Sequence, residues 1–142
     1  KRDSWTGLVQ CIKDRMVISM DDDRTYEQKR AATALKEIKN IRNDHSEHFK
    51  SYVSALPASI VMNGLGQAMA FERSNKNDRG HKDLYNIMER WLCREKGVFT
   101  EEDDLIEAIT SNGQDDYLRA QAEALAYLDW LKKFSRAYLD GK

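Results

Sequence analysis

The chain has 142 residues, 23 of them basic and 24 acidic, with one proline, seven glycines and two cysteines. A formal charge of −1 supplies no whole-molecule attraction to nucleic acid or membrane, and so little proline and glycine leaves too few turn signals for a many-stranded β fold. Cys11 and Cys93 are far apart and fit a reduced cytosolic protein better than a disulfide scaffold.

Apolar residues recur at helical spacing and strand-like alternation is absent, which predicts an all-α domain, a compact bundle of about five to six helices. Residues 1–23 read as an N-terminal extension, and 24–142 as a single domain. No signal-peptide pattern is visible, and because the first residue is Lys1 the natural start stays open, with Met16 and Met20 as candidates. Within the extension, Trp5, Leu8, Val9, Ile12, Met16 and Val17 recur at helical spacing, and Asp21 to Asp23 mark a turn. A helix is predicted from about Asp23 to Asn43. Thr25 and Gln28 have capping-box spacing at its start. Ala31, Ala34, Leu35, Ile38 and Ile41 form its apolar face; Lys29, Arg30, Lys36, Lys39 and Arg42 lie on the other side.

After a break at Asp44, His45 and Ser46, a short helix presents Phe49, Tyr52, Val53 and Leu56. The stretch from Tyr52 to Phe71 then carries no formally charged residue, in a chain that is 33% charged. Pro57 cuts it. Proline is tolerated in the first turn of a helix, so a new helix is expected from Pro57 to about Arg73. Its polar side holds only Ser59, Asn63, Gly66 and Ala70, so it reads as a buried, Gly-containing central helix enclosed on nearly all sides. Gly64 and Gly66 each cost about 1 kcal/mol against alanine in a helix, which close helix–helix approach would offset. Ser54, Pro57, Ser59, Asn63 and Gln67 interrupt the stretch too often for a membrane span.

Ser74 to Gly80 reads as a polar loop. Leu84, Tyr85, Ile87, Met88, Trp91 and Leu92 define a fourth helix ended by Gly97. Thr100 with Asp103 starts a fifth, which Asn112 and Gly113 close. The last helix runs from about Gln114 to Leu139, with Tyr117, Ala120, Ala124, Leu125, Leu128, Leu131 and Phe134 as its core face.

Charge is uneven along the chain. Residues 98–116 hold seven acidic residues and no lysine or arginine, whereas residues 24–96 sum to +5. No phosphate loop, dinucleotide fingerprint, nucleophile elbow or zinc-protease motif is present. His45 and His48 stand one turn apart and could share a metal, which would make a small metal-dependent hydrolase; a solvated helix start is the plainer reading. Neither cysteine has a histidine or a second cysteine beside it, and Cys93 reads as a small buried residue. The basic residues are either the wet face of amphipathic helices or contacts to a phosphate backbone. Lys132, Lys133 and Arg136 also complement the dipole at the end of the last helix, and Tyr127, Trp130 and Tyr138 lie near them.

Several segments resemble the small helical subunit, the fifth, of the Cmr (type III-B) CRISPR RNA-targeting complex. They are Phe49-Lys50-Ser51-Tyr52 through Leu56-Pro57, Asn63-Gly64-Leu65-Gly66-Gln67 and Ala70-Phe71. Tyr26 to Ala31 resembles the start of that family's first long helix, and Glu123-Ala124-Leu125 through Trp130-Leu131-Lys132-Lys133-Phe134 resembles its last. The likeness spans about Arg24 to Leu139; residues 1–20 have no counterpart, and Asp129 and Ser135 are minor departures. It implies a non-catalytic, cytoplasmic subunit without cofactor or metal. Several copies would stack in the inner filament of the complex, stabilising it in antiviral defence. Partners would be the repeated backbone subunit, the large subunit, further copies and the guide RNA–target RNA duplex. On the matching segments, Lys29, Arg30, Lys36, Lys132, Lys133 and Arg136 are the expected RNA-contact residues. A purely structural protein-binding spacer that touches no RNA is the alternative.

Overall fold

The structure, a computed structural model, describes residues 22–41, 46–94, 96–100 and 102–139. The helix expected over residues 5–19 and the break at Asp44 and His45 lie outside these residues. The described residues form six helices and no strand, in agreement with the all-α bundle expected.

The first helix, α1 (Tyr26–Lys39), begins at the predicted capping box. Thr25 Oγ1 accepts from the Gln28 amide at 3.0 Å, and Gln28 Oε1 accepts from the Thr25 amide at 2.8 Å. Two amides that the first turn cannot bond internally are thus satisfied. Ala34 and Ile38 are fully buried, and Lys36 and Lys39 are exposed.

The expected helix from Pro57 to Arg73 is instead two helices, and Pro57 does not start either. α2 (Ser46–Asn63) runs straight through Pro57. An interior proline lacks the amide that would bond one turn back, at a cost of about 3 kcal/mol. Burial on both sides offsets it: Phe49, Val53, Leu56 and Ile60 are each no more than 1% exposed. The chain breaks seven residues later, at Gly64, with φ 89° and ψ 157°, a conformation open to glycine and hardly to other residues. The Gly64 amide closes α2 on the Ile60 carbonyl at 2.7 Å, and its own carbonyl accepts from the Ala68 amide of α3 (Leu65–Ser74) at 3.1 Å. Enclosure is also one-sided. Leu65, Ala68 and Met69 are buried, but Val61, Met62 and Phe71 are 70%, 80% and 56% exposed.

α4 (Arg79–Leu92) starts at Asp78, whose side chain accepts from the Gly80 amide at 2.9 Å and from the Tyr52 hydroxyl at 2.7 Å. The polar loop is therefore tied to α2. α5 (Leu105–Ser111) is capped by Asp104 rather than by the predicted Thr100–Asp103 pair. Asp104 Oδ1 accepts from the Ile106 and Glu107 amides at 2.9 and 3.3 Å, while Thr100 Oγ1 donates to the Gly97 carbonyl at 3.0 Å.

α6 (Gln114–Tyr138) is the axis of the bundle, about 37 Å long at 1.5 Å per residue. It packs against α1, α2, α3 and α4. Ala120, Ala124, Leu128 and Leu131 are buried as expected, and so is Tyr127; Glu123 and Ser135 are buried too, and were not anticipated. α6 also supplies the missing cap of α3. Gln121 Oε1 accepts from the Leu65 amide at 2.9 Å and Tyr117 Oη from the Gly66 amide at 3.1 Å. A Cβ at Gly66 would stand 3.4 Å from Ile109 and 3.8 Å from Tyr117 Oη, ordinary van der Waals distances, so the constraint at this junction rests on Gly64.

At Gly64 a Cβ would stand 2.9 Å from Tyr117 Oη on a backbone that already disfavours any side chain. Gly64→Ala is expected to lower stability by more than about 1 kcal/mol. Gly113→Ala, where a Cβ meets nothing within 4 Å, should change it by only a few tenths. Urea unfolding of the two variants measures the difference.

Candidate nucleic-acid interface

The six expected RNA-contact residues fall on two helices that pack together, α1 and α6, but they are not equally free. Lys29 and Lys36 are seven residues apart, two turns along the outward face of α1. Lys36 is exposed; Lys29 is half-buried and holds Asp22 at 2.9 Å, which keeps the Asp22 carboxyl below its ordinary pKa. On α6, Lys132 and Arg136 share a face one turn apart, Lys132 half-buried and Arg136 exposed. Lys133 is exposed and pairs with Asp129 at 3.0 Å. Such an exposed pair is easily exchanged for a phosphate.

Arg30 is different, because its side chain is held within the bundle. Its side chain is 12% exposed and forks onto Glu123, with Nε at 2.6 Å and Nη2 at 2.8 Å from the two carboxylate oxygens. Nη1 donates to Glu27. Glu123 also accepts from Trp91 Nε1 at 2.7 Å, and Glu27 from Trp130 Nε1 at 2.7 Å. Donating to Glu123 raises the Arg30 pKa above its ordinary value. Turning Arg30 toward a phosphate would strand a buried carboxylate, so this guanidinium is structural. Sequence patterning hid that role because Arg30 lies among the basic residues of an outward-looking helix. The available signal was Glu123, a lone acid within the alanine- and leucine-rich face of the last helix.

The aromatic residues near the basic cluster divide in the same way. Tyr127 is fully buried and stacks on Trp91, with ring centroids 4.9 Å apart, so it does not face a base. Its hydroxyl has no hydrogen-bond partner among the described residues, and burial pushes its pKa far up. Trp130, Phe134 and Tyr138 form a ladder along α6 with centroid steps of 5.4 and 6.1 Å. Tyr138, 56% exposed, lies 5.5 Å from Lys39 Nζ, so the ends of α1 and α6 meet.

The acidic segment runs through the turn before α5, α5 itself and the start of α6, and α5 packs on α3. Asp104 caps α5 and stands 3.4 Å from Arg73; Asp116 pairs with Arg119 at 2.8 Å; Asp103, Glu107 and Asp115 are exposed. His48 is exposed, with its ring centroid 6.2 Å from that of Tyr52, and His45 lies outside the described residues. Among the described residues, no three histidine, cysteine or acidic side chains gather in a metal-binding group. Cys93 is half-buried, and burial pushes its thiol up to about 12, so it carries almost no thiolate at neutral pH. No helix among the described residues is long and apolar enough to cross a membrane.

The model of a protein family described as CRISPR-associated protein (Cas_Cmr5) matches residues 26–138 of the chain. The match begins at the first residue of α1 and ends at the last residue of α6.

Removing Glu123 with alanine would leave Arg30 buried without its main partner and Trp91 without its acceptor, at an expected cost of about 3–5 kcal/mol. Tyr127→Phe removes only an unpaired hydroxyl from the same core and should be neutral within about 0.5 kcal/mol or stabilising. Chemical denaturation of both variants checks the pair.

Proposed function

Because the chain belongs to the Cas_Cmr5 family and is a small subunit of a type III-B CRISPR complex, we propose that it is a non-catalytic element of the inner filament. Copies stack there, stabilise the assembly in the cytoplasm and follow the backbone of the guide RNA–target RNA duplex in antiviral defence. The observation that supports RNA contact is the exposure of Lys36, Lys133 and Arg136, with Lys29 and Lys132 half-buried beside them, on the outward sides of α1 and α6. Contact with phosphates calls for cations in reach and no base reading, because sequence specificity resides in guide pairing. Arg30 drops out of the expected set, leaving Lys29, Lys36, Lys132, Lys133 and Arg136.

A second reading, a protein-binding spacer that touches no RNA, draws support from the pairing of Lys29 with Asp22 and Lys133 with Asp129. Under that reading the basic faces meet acidic faces of neighbouring subunits, and the exposed acids of α5 and α6 supply the complementary sign on the next copy.

Native mass spectrometry of the chain with the other complex subunits and a guide RNA is expected to show two or more incorporated copies. In the assembled complex, Lys36→Glu with Arg136→Glu should flatten the salt dependence of target-RNA capture. The loss is about 0.7–0.9 in the log–log slope per phosphate contact removed. Normal incorporation with an unchanged slope would favour the spacer.

A further inference from the structure

The ends of α1 and α6 form a mixed surface of rings and cations. Trp130, Phe134 and Tyr138 follow one another on α6 at steps of four residues, so they share one stripe of the helix. Trp130 is fixed, because its Nε1 donates to Glu27 of α1 at 2.7 Å. Phe134 is half-buried and meets Tyr138 at a steep angle of 68°, with ring centroids 6.1 Å apart. Tyr138 ends the stripe and is 56% exposed. Lys39 Nζ stands 5.5 Å from the Tyr138 ring centroid, and Lys36 lies one turn back on α1; both lysines are exposed. Neither lysine holds a carboxylate among the described residues. Glu37, between them in sequence, is bonded by Arg90 through both of its oxygens at 2.8 Å. No acidic residue occurs in 38–41 or in 130–139. Lys39 and Tyr138 both lie outside the set of RNA contacts expected from the sequence.

We propose that Tyr138, with Lys39 and Lys36, is a stacking platform for an unpaired nucleotide of RNA. The inference rests on the RNA-contact reading above and adds to it, since cations alone follow a backbone whereas a ring takes up a base. An exposed ring does nothing for a phosphate. It cannot cover the bases of a duplex either, because their faces are already stacked on neighbouring pairs. It gains by covering the flat face of a base that lacks such a neighbour, and that contact is indifferent to sequence. The lysines supply the other half of the site. A nucleotide carries a flat ring and a negative charge in one unit, and Tyr138 and Lys39 present their complements side by side. A protein side chain supplies one or the other, an acid for the lysines or an apolar group for the ring. Lys39 already lies within cation–π reach of the ring, so no remote side chain has to be ordered before the phosphate is met. The bond from Trp130 to Glu27 and the packing of Phe134 on Trp130 hold the base of the stripe against α1.

The full chain is titrated by fluorescence anisotropy with two probes: a labelled, unstructured single-stranded RNA dodecamer, and the same strand paired with its complement. Tyr138→Leu, at an exposed helix end, should weaken single-strand binding on the order of tenfold, the effect of losing one stacked base, and leave duplex binding within about twofold. Tyr138→Phe keeps the ring and should bind the single strand as the unaltered chain does. Lys39→Gln should weaken the single strand as well and lower its log–log salt slope by about 0.7. Equal losses for the two probes, no loss for either, or a Tyr138→Phe as weak as Tyr138→Leu would overturn the proposal. A chain that binds neither probe would overturn it too, while the salt slope of the assembled complex would still decide the backbone reading by itself. A Tyr138→Leu chain with unchanged RNA affinity that no longer enters the complex would assign the ring to a protein neighbour, which also overturns the proposal.

Discussion

The buried carboxylate of Glu123 is the constraint on which the rest of the bundle depends. It accepts from Arg30 of α1 and Trp91 of α4 while standing on α6, so three helices share one charge. A buried ion is tolerated only when its attraction and hydrogen bonds offset the loss of water, which requires all donors to be in place together. That requirement fixes the rotation of each helix about its own axis, something apolar packing alone specifies loosely. The surrounding rings complete the arrangement. Tyr127 lies flat against Trp91, and Arg94 sits over the Trp91 ring at 3.4 Å. One consequence is functional: with Arg30 spent inside, the outward side of α1 is left to Lys29 and Lys36.

Where the physics is local the sequence was largely legible, although the Thr100–Asp103 spacing misled and Asp104 caps α5. The Thr25–Gln28 box involves atoms three residues apart, and the six-helix, all-α outcome follows from periodicities visible in single segments. Pro57 and Gly64 show the limit. Proline raises the local cost of a helix, and the sequence cannot show that Val53, Leu56 and Ile60 recover it by burial in a distant core. Gly64 looked like a small residue inside a helix because a positive φ leaves no trace in an apolar pattern. What holds the break open, Tyr117 and Gln121, lies more than fifty residues downstream.

The candidate sites divide along the same line. Exposed lysines on helix surfaces were legible, because exposure follows from amphipathic spacing alone. The difference between Lys36 and Arg30 was not, since it depends on which acid faces each one across the bundle. The pair that buried Glu72 makes with His81, at 2.7 Å, was missed for the same reason: the two are nine residues apart on different helices, and neither belongs to a familiar motif. An acid that follows twenty uncharged residues is nonetheless a signal, for burial is implied and a partner must be supplied.

Taken together, the surface is partitioned by charge in a way that suits a subunit working among several partners. The outward sides of α1 and α6 are basic, α5 and the start of α6 are acidic, and the α2–α3 side carries exposed Val61, Met62 and Phe71 with hardly any charge. Each kind of surface rejects what another accepts. Phosphate is drawn to the first and repelled by the second, and on the third it finds no cation to balance it. The uncharged side gains from contact only when water leaves, which favours a protein surface of matching shape. Gly64 keeps the two helices of that side apart in direction, so the Tyr52–Phe71 stretch lines a groove from two sides instead of forming a single rod. A straight helix through the same residues would bring Phe71 far beyond Tyr52, about 28 Å along the axis, and the groove, which Glu72 also lines, would not exist.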